Sequence, residues 1–368
     1  MSLRDRLASA TGPAVHRDLF KQFGVLENPY PAAGQTSDNP HQRQPSDDEI
    51  DSRIESFVRD HKSQVVVVEG TQGTGKTNVL NYYEREVRAA LESQGDYYVV
   101  RYLADPEASF DSTLRRLFQE FGVERLVKLS EALSQNEDAI EIARSHEVRI
   151  AFRSLANARD RVYAADQMQQ WLLGLRLLKS HRETLGVNFR LDTVESKTAA
   201  LRDLVQVSSS VKLLSGIFLL MDELEKQDGV LSATAVVRYL SSMRAIIDAL
   251  PNHLFMMIAV TPDALRRYST ALPAFRSRLE NRIELHPLSK QQDALALANF
   301  YFAQAEKTAV DRMGKPPANV QPLVTTKQIE ETFTALLDKA KRSGDAGLRQ
   351  REFLHALHEI AETRIRAQ

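Results

Sequence analysis

The chain has 368 residues, with 48 Lys and Arg against 49 Asp and Glu, 43% hydrophobic residues, no cysteine and one tryptophan. At ~100–200 residues per domain this length predicts two or three domains, or one large domain with appendages, and the apolar fraction suffices for a core, which excludes wholesale disorder. The missing cysteines exclude disulfides, thiolate metal sites and thiol catalysis, and the balanced charge gives no global basic field to attract nucleic acid.

Residues 1–49 are rich in turn formers, with NPYPAAG at 28–34 and QTSDNPHQRQPSDD at 35–48, and read as an extended arm crossing a surface. The first residues, MSLRDRLASATGP, carry no apolar signal core. The longest apolar runs, Leu254–Val260 and Ile217–Met221, fall far short of the ~18–20 residues of a spanning helix. The expectation is a soluble, cytoplasmic protein with no membrane span. Asp47-Asp48-Glu49 then opens a helical pattern through Ile50, Ile54, Phe57 and Val58, with acids where the helix dipole favours them.

Val65–Val68 is a β-branched run, apolar on both faces, as a central strand of a parallel sheet requires. Similar runs follow at Tyr97–Leu103, Ile217–Met221 and Leu254–Val260, with a weaker one at Ile283–Leu285. Helical periodicity fills Thr77–Leu91 and Ser232–Ala249, so strands and helices alternate and predict a parallel sheet covered on both faces. The interval between the second and third strands is too long for one crossover helix, and 108–205 reads as a helical insertion. Beyond Pro287 the pattern is all-helical (about 290–307, 326–342 and 349–366), broken by a connector at Lys315-Pro316-Pro317.

Gly70-Thr71-Gln72-Gly73-Thr74-Gly75-Lys76-Thr77 fits the pattern G-x-x-x-x-G-K-[ST] between a predicted strand and a predicted helix. Glycines there let successive backbone N–H groups converge on a phosphate, and the helix N-terminus adds its positive dipole end. Lys76 can reach the β- and γ-phosphates of a nucleoside triphosphate, and the Thr77 hydroxyl can ligate Mg²⁺. Ile217–Met221 ends in Asp222-Glu223. At the carboxyl end of a buried strand Asp222 would hold the Mg²⁺ through its water, and Glu223 would orient an attacking water. The alternative is an acidic helix start. The tandem acid favours hydrolysis over transfer by a kinase, which needs no second carboxylate for water.

Leu254–Val260 ends in Thr261-Pro262-Asp263. Thr261 is either a hydrogen-bonding group for the γ-phosphate or water, or a helix cap with Pro at the first position; both roles are compatible. Arg276, Arg278 and Arg282 lie within seven residues, and one of them can stabilise γ-phosphate charge across a subunit boundary, the others being surface groups. Arg349 or Arg351, after Gly344-Asp345, can reach the nucleotide from the helical region, or belongs to a basic helix start.

These motifs together resemble an AAA+ ATPase over about 50–105 and 206–368. The 70–77 loop is similar to Walker A and 217–223 to Walker B, with Glu223 as catalytic glutamate and Thr261 at the sensor 1 position. Ser277-Arg278 before Pro287-Leu288 resembles the initiator and clamp-loader pattern, which makes Arg278 the trans arginine, and Arg349 resembles the sensor 2 arginine, with two extra residues before it. Phe23-Gly24 to Pro29-Tyr30 resembles the segment preceding the core in bacterial transposition and secretion ATPases, and the 216–225 region resembles BREX-type defence ATP-binding proteins. The resemblance implies an α/β fold: a five-stranded αβα P-loop core of order 5-1-4-3-2 over 50–288, interrupted by the insertion, and a C-terminal helical lid over 289–368. It further implies adenine between arm and lid near Val25–Tyr30, and a homo-oligomeric ring or spiral that binds ATP and Mg²⁺ and remodels or recruits partners. A nucleotide-gated scaffold in a defence or mobile-element complex and a P-loop kinase are the other readings.

Within the insertion, Arg144–Arg190 holds nine basic against four acidic residues. That charge suits a phosphate backbone, with DNA a candidate partner, or a solvated or protein-docking face. Trp171-Leu172-Leu173 with Leu175, Leu177 and Leu178 form an apolar cluster that reads as core or a partner groove.

Overall fold

The computed structural model describes residues 19–33, 35, 39–91, 94, 96–103, 110–226, 230–314 and 321–367. The Lys315-Pro316-Pro317 connector and the arm before residue 19 lie outside these residues. The chain divides into a larger unit, 44–69 and 82–284, and a smaller unit, 1–43, 70–81 and 285–368.

The sheet consists of β1 (Gln64–Gly70), β2 (Tyr97–Leu103), β3 (Gly216–Asp222), β4 (Leu254–Val260) and β5 (Arg282–Leu285). Its order is β2-β3-β4-β1-β5, which read from the other edge is 5-1-4-3-2. The β1–β4, β4–β3 and β3–β2 pairs are parallel. Every residue of β3 and β4 is buried, as the uninterrupted apolar runs demand. β5 alternates exposed and buried positions at the sheet edge, which is why its sequence signal is weak.

Helix α1 (Pro45–Asp60) begins two residues before the expected opening at Asp47. Pro45 suits the first turn, and the buried Asp47 accepts from the Gln44 N–H at 2.6 Å and from the Tyr83 hydroxyl at 3.3 Å. Helix α2 (Lys76–Leu91) follows β1.

The region between β2 and β3 is helical, as expected: α3 (Asp111–Gln135), α4 (His146–Ala156), α5 (Arg161–Leu172), α6 (Lys179–Leu185) and α7 (Val194–Ser210). Gly122 kinks α3 with φ 63° and ψ 165°. Buried Leu204, Val205 and Val207 carry α7 past the expected end at 205. Phe118, Phe152, Met168 and Trp171 share one core with Val100, Leu219 and Met256 of the sheet, so the insertion completes the larger unit's core. The apolar cluster splits: Trp171 and Leu172 are buried, while Leu175 and Leu178 are exposed. Much of the basic charge is locally balanced, since Arg149 and Arg153 pair with Glu141, Arg161 with Glu131 and Lys179 with Glu183. Helices α8 (Ala233–Ala249), α9 (Pro262–Ala271) and the short α10 (Pro273–Arg276) complete the unit.

The smaller unit holds α11 (Gln291–Met313), α12 (Thr326–Arg342) and α13 (Gln350–Arg366). Its core takes Phe20, Phe23, Val25 and Tyr30 from the arm together with Leu297, Phe333, Phe353 and Leu357. The Asn28 side-chain amide donates to the His358 carbonyl at 3.1 Å and to Glu362 Oε1 at 3.0 Å, and His358 Nδ1 lies 2.7 Å from the Tyr30 carbonyl. The arm is therefore not a strap laid on a surface here; its aromatic residues supply core volume that three amphipathic helices lack. Among the described residues no helix is long and apolar enough to cross a membrane.

Candidate nucleotide-binding site

The phosphate loop belongs to the smaller unit. Gly73 (φ +83°) and Gly75 (φ +101°) occupy left-handed backbone that side chains oppose. At Gly70 a Cβ would lie 2.5 Å from Thr74 Oγ1, which itself donates to the Thr71 carbonyl at 2.8 Å. Lys76 opens α2 with its buried ammonium donating to the Gly70 carbonyl at 2.8 Å and the Thr71 carbonyl at 3.2 Å. Thr77 follows in the first turn, where helix N–H groups lack intrahelical acceptors and are available to an anion. Gln72 is exposed at the loop's tip.

The start of α13 packs on this loop. A Cβ at Gly73 would lie 3.2 Å from Arg349 Cβ, one at Gly75 3.2 Å from Gln350 Oε1, and the Arg351 N–H donates to the Gly73 carbonyl at 3.2 Å. The Arg349 side chain thus lies along the loop, its guanidinium 3.6 Å from Asp345, whereas Arg351 contributes its backbone. The reciprocal Leu288 and Leu348 backbone bonds, both 2.8 Å, anchor this segment. Sequence reasoning missed Gln350 and the clamp at Asn78: its amide donates to the Asn39 and Pro40 carbonyls at 3.1 and 3.3 Å, and its Oδ1 lies 2.8 Å from His41 Nδ1. An amide directly after the loop motif was the one signal for it.

In the larger unit, Asp222 ends β3 with 1% exposure. Its Oδ2 accepts from Arg101 Nη2 at 2.8 Å and its Oδ1 from the Glu223 N–H at 2.9 Å. Arg101, on β2, has Glu84 Oε2 at 3.8 Å. No sequence motif singles out Arg101, a charged residue in an apolar run. Glu223 leaves the strand with φ 56° and its carboxylate pairs with Lys226; that hydrogen bond pushes the Lys226 ammonium pKa above its ordinary value. Thr261 Oγ1 accepts from the Ala264 N–H at 3.4 Å, so the capping role is realised. Arg278 donates through Nε to Asp248 Oδ1 at 2.9 Å and through Nη1 to Ser277 at 2.8 Å. Arg282 Nε donates to the Leu279 carbonyl at 3.1 Å, and Arg276 closes α10, exposed.

In register, Glu69 faces Val260 and Met221 faces Ile258. Glu69, Asp222 and Thr261, all of the larger unit, therefore lie at the carboxyl ends of β1, β3 and β4, the end of a parallel sheet where ligands collect. For magnesium the chemistry fits: each Asp222 oxygen carries one donor and retains a lone pair, and Mg²⁺ typically takes one or two protein oxygens plus phosphates and water.

No family model and no curated protein matches the chain. Similar solved structures include the Aeropyrum pernix ORC2 protein in ADPNP–ADP complexes, 13% identical with a TM-score of 0.43, covering 90% of this chain and 72% of that one. Its ADP form is 12% identical with a TM-score of 0.43, covering 90% and 73%. A Walker-type ATPase of Pyrococcus abyssi is 12% identical with a TM-score of 0.40, covering 90% and 77%. The order of the strands, and a glycine loop that joins the second strand of that order to its helix, make this the αβα P-loop fold that the AAA+ resemblance implies.

Proposed function

We propose that the protein binds ATP with Mg²⁺ and hydrolyses it to ADP and phosphate, as a cytoplasmic AAA+ motor or switch of arm, core and lid that assembles as a homo-oligomer and remodels or recruits protein partners. The observation that supports this reading is the parallel order in which β1, followed by the glycine loop, β4, followed by Thr261, and β3, ending in Asp222-Glu223, pair in register.

The backbone N–H groups of Gly70, Thr71, Gln72, Gly73, Thr74 and Gly75 cradle the phosphates, and Lys76 exchanges its loop carbonyls for β- and γ-phosphate oxygens. Thr77 and Asp222 would hold a magnesium ion, which would supply neutralisation of phosphate charge. Glu223 turns from Lys226 to orient the attacking water, Thr261 adds a hydroxyl at the neighbouring strand tip, and Arg349 contacts the nucleotide from the loop's own unit. Arg278, supplied by a neighbouring subunit, stabilises the γ-phosphate once it leaves Asp248. Protein clients are favoured over DNA because four of the nine cations of Arg144–Arg190 are engaged in ion pairs with Glu131, Glu141 and Glu183.

Glu223→Gln is expected to keep affinity for a fluorescent ATP analogue, lose phosphate release and accumulate the assembled form by light scattering, while Lys76→Ala loses nucleotide binding. Undiminished phosphate release in Glu223→Gln would remove Glu223 from the reaction, and absence of phosphate release by the wild type would remove the hydrolytic reading. Adding duplex DNA to the scattering experiment decides the client: a mass increase in the presence of DNA would overturn the preference for protein.

A further inference from the structure

Glu223 sits in left-handed backbone, φ 56°, which a residue with a β-carbon holds only where its surroundings over-determine it. Within the turn, Asp222 Oδ1 accepts the Glu223 N–H at 2.9 Å and the Glu223 carbonyl accepts the Lys226 N–H at 2.9 Å. Leu224 is buried, and its carbonyl accepts the hydroxyl of Tyr268 at 3.0 Å. Tyr268 is 1% exposed and belongs to α9, the helix that Thr261 caps. A phenylalanine would fill the same volume. The hydroxyl holds a main-chain carbonyl one residue beyond the strained position.

We propose that Tyr268 is a positioning residue: through the Leu224 carbonyl it fixes the turn that aims the Glu223 carboxylate and ties it to the Thr261 end of β4. The proposal rests on the reading of Glu223 as the group that orients water. Both groups that address the water or terminal phosphate from the larger unit then move as one body. Losing the hydroxyl leaves a buried carbonyl without this donor and lets the turn relax from its left-handed geometry. Substrate binding on the phosphate loop is left alone.

The test is steady-state phosphate release and ATP-analogue affinity for Tyr268→Phe, Glu223→Gln and the double variant. Tyr268→Phe is expected to lower kcat about tenfold, a part of the ~10²–10⁴ that a positioned base supplies, with KM and analogue affinity unchanged. The same change in the Glu223→Gln background is expected to cost nothing further, because the group it aims is gone. Amide exchange at Glu223–Lys226 is expected to quicken in Tyr268→Phe. An unchanged kcat, a raised KM at constant kcat, or an equal slowing in both backgrounds would each overturn the proposal. Should Tyr268→Phe not fold, 3-fluorotyrosine at the position must retain kcat and 4-fluorophenylalanine must lose it. If wild type and Glu223→Gln release phosphate alike, the reading of Glu223 as the water-orienting group falls; if Glu223→Gln is slow and Tyr268→Phe is normal, only the role of Tyr268 falls.

Discussion

Replacing Arg101 by methionine exposes how the acidic strand end is held. Asp222 is 1% exposed and Arg101 14% exposed, at 2.8 Å, so the pair is shielded from water and salt. Removing one partner of such a pair costs about 3–5 kcal/mol, because the other charge is left buried without compensation. One Asp222 oxygen keeps the Glu223 amide, which places the expected loss near the lower bound, about 3 kcal/mol. For a unit of some two hundred residues that corresponds to a fall of roughly 6–12 °C in melting temperature. The assay is thermal and urea unfolding of Arg101→Met, Asp222→Asn and the double variant. The double variant, which removes both charges, is expected to lose about 3 kcal/mol rather than the sum of the two single losses, a coupling energy of about 3 kcal/mol. A single-variant loss below 1 kcal/mol, or additive effects of the two changes, would refute the reasoning and mean that water already solvates the Asp222 carboxylate.

Gly75→Ala forces a β-carbon into φ +101° with Gln350 Oε1 at 3.2 Å; a loss of about 1–3 kcal/mol is expected to appear in ATP-analogue affinity by titration, with the larger unit's melting unchanged. Lys226→Met frees the Glu223 carboxylate from the exposed ion pair and is expected to raise basal phosphate release with little change in stability, since such pairs contribute about 0–1 kcal/mol. His253 has its pKa lowered chiefly by burial, with stacked His61 adding in the same direction against the Ser215 carbonyl, which raises it. A base with a depressed folded-state pKa contributes stability above its unfolded value of about 6.5, lost as pH falls through the folded value. Unfolding between pH 7.5 and 5 is expected to show that acid-side loss, and His253→Asn to reduce it.

Local chemistry made much of this protein readable in advance. Val65–Val68, Tyr97–Leu103, Ile217–Met221 and Leu254–Val260 are apolar on both faces, and a chain has few ways to bury such runs other than side by side under helices. The phosphate loop is equally local: Gly73 and Gly75 announce left-handed backbone, and Lys76-Thr77 opens the helix that follows. α1 opens at Pro45, two residues ahead of the acids that mark its first turn, and the long-range bond from Tyr83 to Asp47 is something no periodicity reports. β5 was faint because an edge strand need be apolar on one face alone.

Tertiary structure decided everything that depends on two distant segments meeting. Arg101 becomes part of the acidic strand end because β2 lies beside β3, with Leu103 facing Asp222. Arg349 meets Gly73 with its side chain and Arg351 through its backbone N–H because of the way the start of α13 approaches the loop. Phe20, Phe23, Val25 and Tyr30 look like punctuation in a turn-rich arm until α11, α12 and α13 leave a core that needs them. The physical reason is common to all three: hydrophobic periodicity and backbone preference act over a few residues, while ion pairing and core filling act through space, and only the folded chain brings their partners within reach.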